Sequence, residues 1–143
     1  MLVKQISVFL ENKSGRLADV TRILGDKGIN ISALSIADTT DFGILRLIVN
    51  NPEEALEELK SNGFAVSCTD VVAIGVSDRP GGIAQVLEIF DRESIGIEYM
   101  YAFVGKNGSE AFVIIRLENP QKALELLIKD GVRVMSSKEV YEK

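Results

Sequence analysis

The chain has 143 residues, of which 46% are hydrophobic and 26% charged, and its net charge is −5. Phosphate backbones and anionic lipid repel an acidic chain that has no Lys/Arg run, so neither nucleic acid nor a membrane surface is expected as a partner. No apolar run approaches the roughly 18 residues that span a bilayer, and the first residues lack a signal-peptide pattern.

Residues 5–10 alternate Ile6, Val8 and Leu10 and predict a strand. Leu17, Val20, Ile23 and Leu24 recur at helical spacing, and residues 25–28 stop that helix with two glycines. Residues 29–37 and 44–49 read as strands joined by a turn over 38–43. Asn51 caps a second helix, with Pro52 at its first position, where a missing N–H costs nothing. Ala55, Leu56 and Leu59 give that helix its apolar face, Gly63 ends it, and residues 64–67 form the last strand.

From Val71 the order repeats. Gly15 falls on Gly81, Ala18 on Ala84, Val20 on Val86, Ile23 on Ile89, and Ile29 and Ile31 on Ile95 and Ile97. After a short insertion around residues 105–108, Asn51-Pro52 falls on Asn119-Pro120, Leu59 on Leu127, Gly63 on Gly131 and Val66 on Val134. The chain closes with Ser136-Ser137-Lys138-Glu139, a spacing that allows a capping box. Two tandem βαββαβ domains of the ferredoxin-like, α+β plan follow, 1–69 and 70–143, each an antiparallel four-stranded sheet with two helices on one face. The join at Thr69-Asp70 has no flexible linker. Residues 44–49 and 111–115 are apolar on both strand faces, which predicts covered sheets and a homodimer or higher homo-oligomer.

Asp78-Arg79-Pro80-Gly81-Gly82-Ile83 followed by Ile95-Gly96-Ile97, and in the first copy Asn12-Lys13-Ser14-Gly15 followed by Gly28-Ile29-Asn30-Ile31, resemble the signature of the ACT domain. The likeness is to the ACT domains of phosphoglycerate dehydrogenase and of the acetolactate synthase regulatory subunit. It covers nearly the whole chain, twice. It implies a stand-alone tandem ACT protein that binds a free amino acid, regulates an enzyme of amino-acid metabolism, and holds its ligand where a first strand–helix loop faces a neighbouring domain.

The residues fit such a ligand. A zwitterion needs donors for its carboxylate and acceptors for its ammonium. The first turn of a helix offers unpaired N–H groups and partial positive charge. Gly15 and Gly81-Gly82 leave that approach bare. Asn12 or Asp78 supplies an acceptor, Arg16 a carboxylate partner, and Asn30 a polar group reaching across an interface. The implied lining adds Lys13, Ser14, Leu17, Ile31 and Ser32 in the first copy. In the second it adds Arg79, Pro80 and Ile83, with Glu98 and Tyr99 near Gly96, which replaces Asn30. The plainer readings stay open: Asn12 and Asp78 as helix caps, Arg16 as a solvated residue, Asn30 as the end of a turn, and Tyr99 with Met100, Tyr101 and Phe103 as packing.

Histidine is absent and Cys68 is the single cysteine. That removes the usual triads and most metal sites, and no phosphate loop or other cofactor motif is present. A lone cysteine points to a reducing, cytoplasmic setting, and its apolar neighbours point to a buried residue. An acylphosphatase-like enzyme would need a converging Arg–Asn pair that neither copy offers. An RNA-recognition domain would need central aromatics on a basic surface. A ligand-free protein-interaction scaffold would share every feature above.

Overall fold

The computed structural model describes residues 2–11, 13–38, 42–104 and 110–141. The first copy forms β1 (Val3–Glu11), α1 (Arg16–Asp26), β2 (Ile31–Asp38), β3 (Phe42–Val49) and α2 (Pro52–Ser61). A single strand, β4 (Ala65–Ser77), runs through the repeat boundary. The second copy continues with α3 (Gly82–Arg92), β5 (Ile97–Val104), β6 (Glu110–Leu117), α4 (Pro120–Lys129) and the two-residue β7 (Arg133–Val134), before a terminal α5 (Ser137–Tyr141). No described helix is long and apolar enough to cross a membrane.

Two compact units result. The first comprises residues 4–69 and 140–143, the second residues 1–3 and 70–139. The first orders its strands β2-β3-β1-β4, with Ile6 opposite Leu47 and Val8 opposite Leu45. The second orders them β5-β6-β4-β7, with Val72 opposite Ile115 and Ile74 opposite Val113. This is the ferredoxin-like plan twice over. One sheet face of the first unit packs Ile6, Val8, Leu45 and Leu47 on Val20 and Leu24 of α1 and Leu59 of α2. The matching face of the second packs Val72, Ile74, Val113 and Ile115 on Val86, Phe90 and Leu127. β6 is buried on both faces through residues 112–115, whereas β3 is so only at its end, where Ile48 and Val49 are inaccessible; Ile44 and Arg46 are half-buried and Phe42 is exposed.

Local chemistry sets the helix ends. Asn51 accepts from the Glu54 N–H at 3.3 Å, and Asn119 accepts from the Lys122 N–H at 3.1 Å, each followed by proline. α1 runs through Gly25 and stops only at Gly28, whose φ of +69° lets its N–H reach the Gly25 carbonyl while Ile29 reaches back to Leu24. Gly63 and Gly131 end α2 and α4 in the same way. At the end of α3 this left-handed position is held by Ser94, at φ +53°. A side chain there costs energy that glycine avoids. Ser94→Gly is therefore expected to raise the unfolding free energy by about 0.5–1 kcal/mol, net of the added freedom of the unfolded chain, as read by urea denaturation.

The capping box at the C-terminus is formed. Ser136 Oγ accepts from the Glu139 N–H at 3.2 Å, and Glu139 accepts from the Ser136 N–H at 3.2 Å. The Ser136 N–H is the main reason the Glu139 carboxyl titrates below its ordinary 4.5; Arg133 adds to it. A carboxylate held low stabilises the fold above its unfolded pKa, and that contribution disappears as pH falls through the lower folded value. The α5 amides are thus expected to lose hydrogen-exchange protection below pH ~4, before the core does, and Glu139→Gln should abolish that pH dependence.

Cys68 is exposed rather than buried. It lies on the stretch of β4 between Val66, which packs on the first core, and Val72, which belongs to the second, so neither cluster encloses it. The turn at 39–41 and the insertion at 105–109 lie outside the described residues.

Candidate ligand site at the helix starts

Both copies enter their first helix through the same backbone turn. In the first, the Lys13 N–H donates to the Glu11 carbonyl at 2.7 Å and the Arg16 N–H to the Lys13 carbonyl at 3.4 Å. In the second, Arg79 donates to Ser77 at 2.9 Å and Gly82 to Arg79 at 3.0 Å. The turn places Gly15 at φ +90° and Gly81 at φ +85°, a left-handed conformation in which both act as the N-cap. Neither helix start has a side-chain cap, and a Cβ at either glycine would meet nothing within 4 Å. The capping reading of Asp78 therefore fails. Asn12 lies outside the described residues.

Around the first start, Lys13, Arg16 and Leu17 line a recess of about 170 Å³ together with Leu10, Glu11, Ile36 and Gly43. Glu11 pairs with Lys13 at 2.9 Å, and the Lys13 hydrogen bond holds its carboxyl below the ordinary range. Arg16 is not a freely solvated residue: its guanidinium lies 4.8 Å from the Phe64 ring centroid, and its buried Nε has no hydrogen-bond partner. Ser14 is exposed on the same turn. Sequence reasoning missed Leu10, Glu11, Ile36 and Gly43, although a glutamate two residues before a lysine was a readable signal.

Asn30, Ile31 and Ser32 are not part of that recess. Ile31 pairs with Val49, whereas Asp38 pairs with Gly43 and Glu11 with Phe42, so the start of β2 and the start of α1 sit at opposite ends of one sheet. The Asn30 N–H donates to Asn50 Oδ1 at 3.0 Å, while the residue itself is exposed. Ser32 occupies a bulge in β2, and its Oγ is buried without a hydrogen-bond partner. In the second copy Glu98 takes the equivalent bulge and pairs with Arg116 at 3.1 Å, beside the half-buried Tyr99.

Arg79 and Pro80 are exposed on the second turn and Ile83 is half-buried. Gly82 is buried whereas Gly81 is exposed, and a Cβ on Gly82 would stand 2.2 Å from the Ser77 carbonyl oxygen. Strand and helix approach too closely for any side chain.

The family model described as an ACT domain pair matches residues 1–143. The crystal structure of protein BT0572 from Bacteroides thetaiotaomicron is 47% identical, with a TM-score of 0.95 over 100% of this chain and 98% of that one. The ligand-free regulatory subunit of aspartate kinase from Thermus thermophilus is 20% identical, with a TM-score of 0.66 over 91% and 94% of the two chains. The corresponding subunit from Thermus flavus is 18% identical, with a TM-score of 0.62 over 88% and 90%. At these last identities the likeness is one of fold. No curated protein is significantly similar to the chain.

Proposed function

Since the chain belongs to the ACT domain family, as a domain pair over residues 1–143, we propose that it is a non-catalytic cytoplasmic regulator that binds a free amino acid and acts on an enzyme of amino-acid metabolism. The observation that carries the reading is the pair of bare helix starts at Gly15 and Gly81, uncapped and open where a side chain would stand. Such starts offer N–H donors and partial positive charge to a carboxylate.

A site that also uses Asn30 and Ser32 needs a second copy, because one sheet holds them and Gly15 at opposite ends. An edge strand paired antiparallel with its twofold mate brings the Asn30 end of one copy to the helix start of the other. β2 is such an edge and carries exposed Leu34 (51%) and Ile36 (44%). A homodimer with its ligand in that seam is the arrangement these features support.

The test is a thermal-shift screen of the intact protein against the common amino acids. One of them is expected to stabilise it, by about 2.7 kcal/mol at a hundredfold excess over Kd. Asn30→Ala should remove the shift. If no amino acid moves the melting temperature, a ligand-free scaffold is the better reading.

A further inference from the structure

The chain passes from one compact unit to the other three times: between Val3 and Lys4, between Thr69 and Asp70, and between Glu139 and Val140. The first passage lies inside β1 and the second inside β4, strands held by ladders of backbone hydrogen bonds. The third lies inside α5, a helix of five residues. A helix that short has almost no stability of its own in water, so contacts with the rest of the chain must hold it.

Those contacts divide at the same point. Before it, Ser136 and Glu139 close the capping box, and Glu139 accepts from Arg133 at 2.8 Å. Arg133 also pairs with Glu110, the first residue of β6, and its guanidinium lies 5.9 Å from the Phe112 ring centroid. After it, Val140 is fully inaccessible, and the Tyr141 hydroxyl accepts from the Lys4 N–H of β1 at 2.9 Å. An exposed ion pair, a capping box and a hydrogen bond to an exposed hydroxyl are each weak. The first copy has no counterpart to this segment: Ser136 falls on Cys68, inside β4.

We propose that α5 is a detachable strap, which undocks as one piece while both cores stay folded and which, when docked, couples the two units. Segments held by few contacts open at free energies well below that of global unfolding. Opening this one takes away one of the three passages and leaves those in β1 and β4. A partner that takes hold of the freed segment, or of Arg133 and Glu110, shifts the equilibrium toward the undocked form.

The experiment is native-state hydrogen exchange, followed by NMR on the ¹⁵N-labelled full chain at pH 7 in urea below the unfolding transition. The Ser136, Glu139 and Lys4 amides are bonded at the two ends of the strap. They are expected to exchange through one shared opening, roughly a hundredfold faster than the Leu47 and Ile74 amides of the two cores. Tyr141→Phe removes the far anchor and should speed exchange at Ser136 and Glu139 by about fivefold, with Leu47 and Ile74 unchanged. Arg133→Gln loosens the near anchor and should speed Lys4 by a similar factor. Exchange of these amides only together with the cores would overturn the strap, as would a Tyr141→Phe effect confined to Lys4. Coupling is read from urea unfolding of Val140→Ser: the Leu47 and Ile74 signals are expected to lose their common midpoint and separate by about 0.5 M or more. Midpoints that stay together would overturn the coupling. Tyr141→Phe, which deletes a single oxygen, gives the same reading if Val140→Ser fails to fold.

Discussion

Gly82→Ala is expected to destabilise the second unit by about 2–3 kcal/mol, although it adds a single methyl group in a helix that alanine otherwise favours. The obstacle is the Ser77 carbonyl oxygen, 2.2 Å from the added Cβ, and as backbone it cannot rotate away. α3 must lift off β4, loosening the contacts of Val86 and Phe90 with the strand. The first copy shows how far that relief can go. It carries Arg16 at this position, with an N–H···O contact to Lys13 of 3.4 Å where Gly82 reaches Arg79 at 3.0 Å. Gly81→Ala is the control, because it meets nothing within 4 Å and costs only the left-handed conformation, about 1–2 kcal/mol. Urea midpoints of the two variants separate packing from turn: a Gly82→Ala loss no larger than that of Gly81→Ala would refute the close-approach account.

Phe90→Ala is expected to cost more still, about 3–5 kcal/mol. Phe90 is 1% exposed and is among the largest fully buried side chains. Its removal takes away the transfer energy of the ring and leaves a void that the surrounding Val72, Ile74 and Leu127 fill only in part. The backbone contribution at this site is untouched, since the bond from the Ile95 N–H to the Phe90 carbonyl, 2.9 Å, does not involve the ring. Ile128→Ala, on the exposed side of α4, is the comparison: Ile128 is 54% accessible, and its loss should change stability by no more than ~0.5 kcal/mol.

The two copies share a fold and differ in what their surfaces carry. The first unit presents Leu34 and Ile36 on its edge strand, together with the polar Asn30. The second carries Gly75, Gly82 and Val132 where the first has Phe9, Arg16 and Phe64, and it adds the ion pairs Arg92–Asp130 and Arg133–Glu110. A duplicated domain that keeps its fold is free to divide binding surfaces between its halves, because each half retains its own core.

Much of the architecture was legible from short-range chemistry. Asn51-Pro52 and Asn119-Pro120 cap as expected, Gly63 and Gly131 end their helices, and Ser136 with Glu139 closes its box. These features work across three to five residues, so the chain itself brings the partners together. The stop at residues 25–28 is local too: α1 ends at Asp26 and Gly28 carries the left-handed turn.

The amino-acid sequence by itself determined the duplicated βαββαβ plan, the Asn51 and Asn119 caps and the glycine turns at Gly15 and Gly81, because periodicity and punctuation act between near neighbours; that those turns carry no side-chain cap came from the structure. Only the tertiary structure decided that Gly82 is a packing glycine and that Arg16 lies over Phe64. It alone put Asn30 at the far end of the sheet from Gly15 and gathered Arg92, Glu110, Asp130 and Arg133 around one cavity. Strand register and helix–strand distance fix those relations, and both arise from residues far apart along the chain.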